Sequence, residues 1–299
     1  MADRGENGTM ISNVPIIIVS FSRPALLERL LLSLRQQTQP IDFSNVYLFQ
    51  DGGSNLFDDC IQIFKKLMPE GRVIAADRNL GIALNIDRAE RFAFEVLGVD
   101  VAYFFEDDLI LGENYLAVLS QLCEFALNEP RVGYFAAYGN HRASLDEQKE
   151  RSAEVVRMAW KWGFGLTKRQ WSRQKDIIDP YLDIIRRDIY RRRDAKAIFA
   201  YYETLGYSSP GTSQDGAKDV AGHVLGTVKI MSFACFARYE GREGEHSRPA
   251  SYDREGFGNT QLYPEVPVLS MPSPMVLDSW IALGRRNAKV NNPSPESKL

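Results

Sequence analysis

The sequence predicts an α/β fold with a mixed, mainly parallel central sheet flanked by helices. Short, continuously apolar runs rich in β-branched and aromatic residues alternate with stretches whose apolar residues recur at helical spacing. The chain between successive runs is long enough for a crossover helix, so the strands can lie parallel with right-handed connections. Ligands bind at the carboxyl ends of the strands in such sheets. The residues that follow each strand are therefore the candidates for a functional site.

The first part of the chain predicts four strands and three helices. The strands are predicted at residues 14–20, 46–50, 72–76 and 101–105. The helices are one opened by Pro24 and two at residues 55–67 and 82–97. Proline suits the first turn of a helix, where its missing N–H would have no intrahelical partner, and Ser22 is a candidate N-cap.

The alternation continues less regularly in the rest of the chain. Strands are predicted at residues 132–137, 155–159 and 228–236, and helices at 113–127, 168–202 with a break near Pro180, and 219–226. Residues 141–154 are predicted to form a charged loop. Residues 160–165 hold two tryptophans and two glycines, and residues 186–193 hold a run of arginines typical of a solvated helix face.

Composition excludes several classes of protein. The net charge of the 299 residues is only −3, so no overall electrostatic attraction to nucleic acid or membrane is expected. Cys60, Cys123 and Cys235 lack paired or metal-ligand spacing, which indicates a reducing compartment. Residues 1–10 lack the apolar core of a signal peptide, and no run reaches the roughly 18 apolar residues of a membrane span. We predict a cytoplasmic protein without a transmembrane segment, and peripheral membrane association stays open.

Three adjacent acids, Glu106, Asp107 and Asp108, follow the fourth predicted strand. Neighbouring carboxylates repel one another, which raises their pKa values unless a cation offsets the charge. A hard divalent cation is the natural partner for carboxylate oxygens. The alternative is a solvated acidic turn in which one carboxylate caps the next helix.

Several motifs occur in the order found in one family of enzymes. The chain has "SFSRP" after the first strand, "QDGG" after the second, "RNLG" before the third helix and "EDD" after the fourth strand, followed by "WKWGFGLTKRQW", "SQD" and "GREGEHS". In this order they resemble the GT-A glycosyltransferases, over residues 14–247. The parallels are to family 2 glycosyltransferases and to the eukaryotic N-acetylglucosaminyltransferases that start hybrid N-glycans. The resemblance implies a Rossmann-like GT-A fold with acceptor-side elements towards the C terminus.

The resemblance also implies roles for individual residues. Carried over by position, it assigns donor contacts to strand-end residues, metal ligation to two residues and general-base catalysis to one. The donor-binding residues are Ser20, Arg23, Asp51, Arg78, Asn79, Glu106 and Asp107, the metal ligands are Asp108 and His246, and the base is Asp215. Imidazole and carboxylate together suit Mn²⁺, with Mg²⁺ as the other candidate.

Structural alternatives exist for the residues outside the acidic motif. Asp51 could support the Gly52–Gly53 turn, Asp215 could be a helix N-cap, and His246 could be an ordinary surface histidine. The sequence also departs from the family pattern, which often has a tryptophan where this chain has Gln214. The tryptophans at 160, 162 and 171 could pack in the core or against sugar rings.

These motifs predict a metal-dependent, inverting glycosyltransferase of the hexosyl or N-acetylhexosaminyl class. The donor would be a nucleotide diphosphate sugar, with UDP favoured, and the acceptor a hydroxyl of a glycan, a lipid-linked intermediate or a small molecule. A modified nucleic acid, reached through residues 186–193, is a further acceptor. Two alternative functions stay open. One is a nucleotidyltransferase, which should carry a glycine-rich, lysine-bearing phosphate loop where this chain has "FSRP". The other is a non-catalytic module that binds a sugar or nucleic acid.

The predicted organisation follows from the same motifs. Residues 13–139 would form the nucleotide-sugar-binding half and residues 140–250 the acceptor and catalytic half of one domain. Residues 251–286 would be a C-terminal extension. Residues 1–12 and 287–299 would be a flexible N terminus and a disordered tail.

Overall fold

The computed structural model describes residues 13–159, 161–244 and 248–289. The ten strands of these residues are β1 Ile16–Ser20, β2 Val46–Gln50, β3 Arg72–Ala75, β4 Val101–Glu106, β5 Leu109–Leu111, β6 Val132–Ala136, β7 Val155–Arg157, β8 Gly163–Thr167, β9 Val228–Ser232 and β10 Ala237–Tyr239. Eight of them form one sheet in the order β3-β2-β1-β4-β8-β6-β9-β7, and β5 pairs with β10 in a second, two-stranded sheet.

The central sheet is mixed, as predicted. Strands β3, β2, β1 and β4 are parallel to their neighbours, whereas β8 is antiparallel to both β4 and β6. Strand β9 then pairs parallel with β6, and β7 closes the edge antiparallel to β9. Strand β1 is fully buried, in keeping with its run of β-branched residues between two helical layers. The predicted fold class is confirmed.

Ten α-helices cover the sheet and its edges in the described part of the chain. They are α1 Pro24–Arg35, α2 Phe57–Leu67, α3 Ile82–Arg91, α4 Tyr115–Asn128, α5 Leu145–Glu150, α6 Lys168–Ile185, α7 Ala195–Thr204, α8 Gln214–Leu225, α9 Pro249–Glu255 and α10 Pro274–Ala288. The helix predicted at 82–97 is α3 continued by a π-helical turn, Phe92–Val96. No helix of the described residues is both long and apolar enough to cross a membrane.

Strand β8, in the middle of the sheet, was not predicted. Glycines weaken a strand pattern, and this segment contains two. Close packing explains the glycine at 165, since a Cβ there would lie 2.2 Å from the ring of Phe135. The glycines therefore admit large aromatic side chains from neighbouring strands.

Several predicted boundaries were wrong. The N-cap of α1 is Arg23, without a side-chain capping bond, and not Ser22. Pro180 lies inside α6, so the break in the 168–202 stretch falls between α6 and α7, where Asp194 caps α7. A single proline removes one hydrogen-bond donor, which a long, well-packed helix can tolerate.

Other corrections concern the second half of the chain. The predicted loop 141–154 contains α5, whose cap Ser144 accepts from the Glu147 N–H at 3.2 Å; this is an S-x-x-E capping pattern that the sequence already showed. Helix α8 begins five residues before the predicted residue 219, and β9 ends at Ser232, before the predicted residue 236. Helix α10 continues to Ala288, so residues 287–289 do not belong to a disordered tail. Residues 1–12 and 290–299 lie outside the described residues.

A buried ion pair joins α8 to α3. Lys218 of α8 and Glu90 of α3 are 2.5 Å apart, and their side chains are 3% and 5% exposed. Each charge would be costly to bury alone, because the interior stabilises ions poorly. The pair therefore links α8 to α3 in the interior of the protein.

We predict that Lys218→Met lowers the free energy of unfolding by about 3–5 kcal/mol, because Glu90 is left buried without its partner. Burial already raises the pKa of Glu90, and the loss of Lys218 would raise it further. The folded variant then retains a proton that the unfolded chain releases above about pH 4.3, so its stability falls as the pH rises from there. Denaturant unfolding at pH 5 and pH 8 should show the larger loss at pH 8.

Two further variants control this experiment. Glu90→Gln combined with Lys218→Met should recover most of the lost stability, since no uncompensated charge remains. Lys196→Met, at an exposed position of α7, should change little. A loss below about 1 kcal/mol in Lys218→Met at both pH values would contradict the structural role of the pair.

Candidate functional site

The strand-end residues predicted for the site lie at one edge of the sheet. Parallel pairing places Val19 of β1 opposite Glu106 of β4, and Ser20 opposite Gln50 of β2. Because the three strands run in the same direction, the loops that follow them share that edge. Ser20, Asp51 and the acids after β4 are thus neighbours in space, as expected.

Arg23 joins the end of β1 to the acidic motif. Its Nη1 lies 2.6 Å from Asp108 Oδ2, and its Nη2 contacts Asp107 Oδ1. The Ser20 hydroxyl also donates to Asp107 Oδ2, at 2.8 Å. Burial opposes the charge of Arg23, but Asp107, Asp108 and Glu106 together raise its pKa. In this structure the Arg23 guanidinium is engaged with the acids, and its contact with the donor stays a prediction.

The acids resemble a cation site more than a solvated turn. Asp107 and Asp108 are 1% and 3% exposed, which contradicts a simple surface turn. Burial raises the pKa of Asp108 to about 6, against the lowering effect of Arg23. Asp108 Oδ1 is buried and accepts no hydrogen bond from the described residues. A buried carboxylate oxygen without a donor fits a hard divalent cation, which takes oxygen ligands.

The glycine-rich loop that follows β10 packs over Asp108. Strand β10 pairs with β5, and the Glu240 N–H donates to the Asp108 carbonyl at 2.8 Å. A Cβ at residue 241 would lie 2.3 Å from Asp108 Oδ2, so the loop needs glycine to approach the carboxylate. His246, the predicted second metal ligand, lies outside the described residues. Within residues 13–159, 161–244 and 248–289, no three His, Cys, Asp or Glu side chains are grouped so as to hold a metal together.

Asp51 organises the loop that carries Arg78 and Asn79. Its carboxylate accepts the backbone N–H groups of Gly52, Leu80 and Gly81 at 3.0, 2.8 and 2.9 Å. Burial raises the pKa of Asp51, while these backbone donors lower it. Asp51 therefore supports the turn, which is the structural alternative that the sequence left open. Arg78 and Asn79 are themselves exposed on this loop.

Asp215 lies in the first turn of α8, and its N-cap is Ser213. The alternative of Asp215 as an N-cap is therefore wrong. Its side chain is 42% exposed, and its Oδ1 accepts from Gln214 Nε2 at 2.7 Å. Burial raises the pKa of Glu106, and the charges of Asp108 and Asp215 raise it further. Asp215 thus lies close enough to the acidic motif to act on it electrostatically.

Lys161 is a neighbour of Asp215 that the sequence did not reveal. It is 2% exposed, and its Nζ lies 3.7 Å from Asp215 Oδ1 and 2.9 Å from Asp219 Oδ1. Burial opposes the charge, but Asp219 and Asp215 raise the pKa of Lys161. It is a fixed cation beside the candidate base. The "WKWG" segment marks Lys161 only as lying between two tryptophans, so no local signal indicated this contact.

Tyr190 and Arg193 connect the loop that carries Arg78 and Asn79 to the loop before α8. A Cβ on Gly81 would lie 2.7 Å from Tyr190 Cβ, which shows how closely the two segments pack. Arg193 stacks on the Tyr190 ring at 4.4 Å and donates to Thr212 Oγ1 at 2.9 Å. Burial raises the pKa of Tyr190 to about 12, and Asp215 and Glu106 contribute to the rise.

The arginine run at 186–193 is therefore not one face of a helix. Arg186 pairs with Asp183 at 2.7 Å, and Arg192 pairs with Asp188 at 2.9 Å. These pairs neutralise part of the charge that suggested a nucleic-acid acceptor. The segment instead packs against the loop that carries Arg78 and Asn79, through Tyr190.

Two stacked aromatic residues lie beside the acidic motif, next to the glycine-rich loop that follows β10. Trp162 stacks on Tyr239 with ring centroids 4.1 Å apart and nearly parallel planes, and its carbonyl accepts the Glu106 N–H at 2.8 Å. Trp171, in contrast, packs in the core against Phe94. The tryptophan at 160 lies outside the described residues. Trp171 is therefore a core residue, whereas Trp162 lies beside the acidic motif.

Comparison with solved structures identifies the fold of this chain. No protein-family model matches the sequence, and no curated protein matches it significantly. GalNAc-T7, solved with UDP, GalNAc and Mn²⁺, is 10% identical over 77% of this chain, with a TM-score of 0.50. This chain has the GT-A glycosyltransferase fold. The predicted GT-A fold is confirmed.

The match with GalNAc-T7 spans 44% of that protein. A second similar structure is the mannosyltransferase PcManGT from Pyrobaculum calidifontis, in complex with GDP-Man and Mn²⁺. It is 12% identical over 73% of this chain and 72% of its own, with a TM-score of 0.43. At 10% identity, the likeness to GalNAc-T7 concerns the fold alone.

Proposed function

We propose that this chain is a metal-dependent glycosyltransferase that moves a sugar from a nucleotide diphosphate sugar to an acceptor hydroxyl. The observation that carries the proposal is the buried Asp108 carboxylate, with one oxygen lacking a hydrogen-bond donor among the described residues, at the strand-end edge of a GT-A sheet. A UDP-sugar is our first choice of donor, which the UDP and Mn²⁺ bound by GalNAc-T7 support.

The donor end of the proposed site is built from the strand-end residues. Asp108 would hold Mn²⁺ or Mg²⁺, with His246 as a proposed second ligand. When bound, the metal supplies Lewis-acid stabilisation of the leaving diphosphate. Arg23 is held beside the same carboxylates and can add positive charge near that group.

The remaining donor residues have supporting roles in the proposal. Asp51 holds the Arg78–Asn79 loop in place through backbone hydrogen bonds, and that loop would contact the nucleotide. Glu106 would serve the ribose. Asp107 would serve metal-bound water, while Ser20 and Arg23 hold its carboxylate in position.

Asp215 is the proposed general base, which removes the proton from the acceptor hydroxyl. Its carboxylate is partly exposed, so an acceptor can reach it, and the Lys161 ammonium lies 3.7 Å from its Oδ1. A base acting on the face of the sugar opposite the leaving group gives inversion at the anomeric carbon. The acceptor is proposed to be a glycan, a lipid-linked intermediate or a small molecule, packed near the Trp162–Tyr239 stack.

A donor screen tests this proposal. We expect one class of UDP, GDP, dTDP or CMP sugar to raise the melting temperature with Mn²⁺ and not with EDTA, because a ligand that binds only the folded state stabilises it by mass action. Hydrolysis or transfer of that donor should then be detectable by release of the nucleotide. No metal-dependent stabilisation by any of these donors would contradict a donor site at Asp108.

A further inference from the structure

A cavity of about 200 Å³ lies away from the acidic motif. It is enclosed by α8, α10, the start of β9 and the end of β7. Its lining includes Tyr134, Arg157, Lys218, Asp219, Lys229 and Trp280. A water needs only about 10–15 Å³, whereas sites for drug-sized ligands occupy roughly 300–1,000 Å³. The cavity is therefore suited to a small ligand.

The cations around this cavity outnumber the acids available to them. Asp219 Oδ1 is shared, since it accepts from Lys161 at 2.9 Å and also from Lys229. Lys218 is already paired with Glu90. Arg157, which is exposed, forms no ion pair or hydrogen bond through its side chain with the described residues. The lining thus carries uncompensated positive charge.

The crowding of lysines is unfavourable in the absence of an anion. Lys229 and Lys161 share the Asp219 carboxylate, and each is largely buried. Burial and the charge of Lys161 lower the pKa of Lys229 to about 8. A bound anion would relieve this repulsion and also supply the partner that Arg157 lacks among the described residues.

We propose that this cavity binds a small oxyanion, a phosphate or carboxylate group, between Arg157 and Lys229. Arginine presents a planar fork that matches both groups in a bidentate manner, and lysine adds a point charge. The cavity adjoins Asp219, which lies one helical turn beyond Asp215 on α8. The inference does not depend on glycosyl transfer, because the anion is recognised by charges outside the donor site.

Thermal shift with inorganic phosphate, at constant ionic strength set with NaCl, tests the site. We expect phosphate to raise the melting temperature of the wild-type chain, and Arg157→Gln to weaken phosphate binding at least tenfold. Arg157 is exposed, so this variant should fold normally. The matched control is Arg286→Gln, an exposed position of α10 that does not line the cavity. A parallel titration with acetate distinguishes a phosphate site from a carboxylate site.

A second readout locates the binding event. Trp280 lines the cavity, so phosphate should change the tryptophan fluorescence of the wild-type chain and not that of Trp280→Phe. The absence of any phosphate or acetate effect, or an effect retained in Arg157→Gln, would overturn the proposal. So would an effect lost in Arg23→Gln and kept in Arg157→Gln, since the anion would then bind at the donor edge.

Discussion

Replacing Asp108 by asparagine is expected to abolish Mn²⁺-dependent binding of the nucleotide diphosphate. The amide keeps the shape of the side chain, but it removes the negative charge that we propose to hold the metal. A metal supplies several kcal/mol of charge stabilisation, and each 1.4 kcal/mol corresponds to about a tenfold change in affinity. We therefore expect a loss of about 100-fold or more, measured by calorimetric titration with Mn²⁺ and with EDTA.

The control for this variant is Asp100→Asn, just before the other end of β4, where the side chain is exposed. It should bind the nucleotide as the wild type does. Thermal unfolding of both variants separates a loss of binding from a loss of folding, because Asp108→Asn also weakens the contact with Arg23. An unchanged Mn²⁺-dependent affinity in Asp108→Asn would remove Asp108 as the metal ligand.

Replacing Asp215 by asparagine is expected to preserve donor binding and to reduce turnover. General acid–base groups contribute about 10²–10⁴-fold to rate. Because Asp215 is assigned to the acceptor, the loss should appear in kcat and in kcat/KM for the acceptor, with donor affinity unchanged. Steady-state kinetics with the donor found by the screen, together with calorimetric donor binding, measure both quantities.

Asp176→Asn, at an exposed position of α6, is the matched control for the charge change. Asp215→Asn also leaves Lys161 with Asp219 as its remaining carboxylate partner among the described residues, so the stability of the variant should be measured alongside its activity. A turnover rate within about tenfold of the wild type would exclude Asp215 as the general base.

Much of the fold was predictable because its signals are local. The parallel strands β1, β2 and β4 were found from continuous apolar runs, since a strand buried on both faces has no polar side to display. Strand β8 was missed because its glycines make room for Phe135, a residue of another strand that local sequence cannot indicate. The capping pattern at Ser144 was a local signal that the loop prediction did not use.

The site was predictable in part. Strand-end positions indicated that Ser20, Asp51 and the acidic motif lie together, because parallel strands bring their carboxyl ends to one edge. What each side chain does there was not predictable. Asp51 proved to accept hydrogen bonds from the backbone N–H groups of Gly52, Leu80 and Gly81, and Arg23 proved to be paired with the acids.

The sequence by itself determined the α/β class, the edge of the sheet that carries the acids, and the order of the motifs. These properties depend on residue type and spacing along a strand or helix. Only the tertiary structure decided that Arg23 pairs with Asp108, 85 residues away, and that Lys161 lies against Asp215, 54 residues away. Charge compensation in a buried site depends on distance in space, which packing of the whole chain sets. The same reason explains why the cation-lined cavity at Arg157 and Lys229 had no sequence signal.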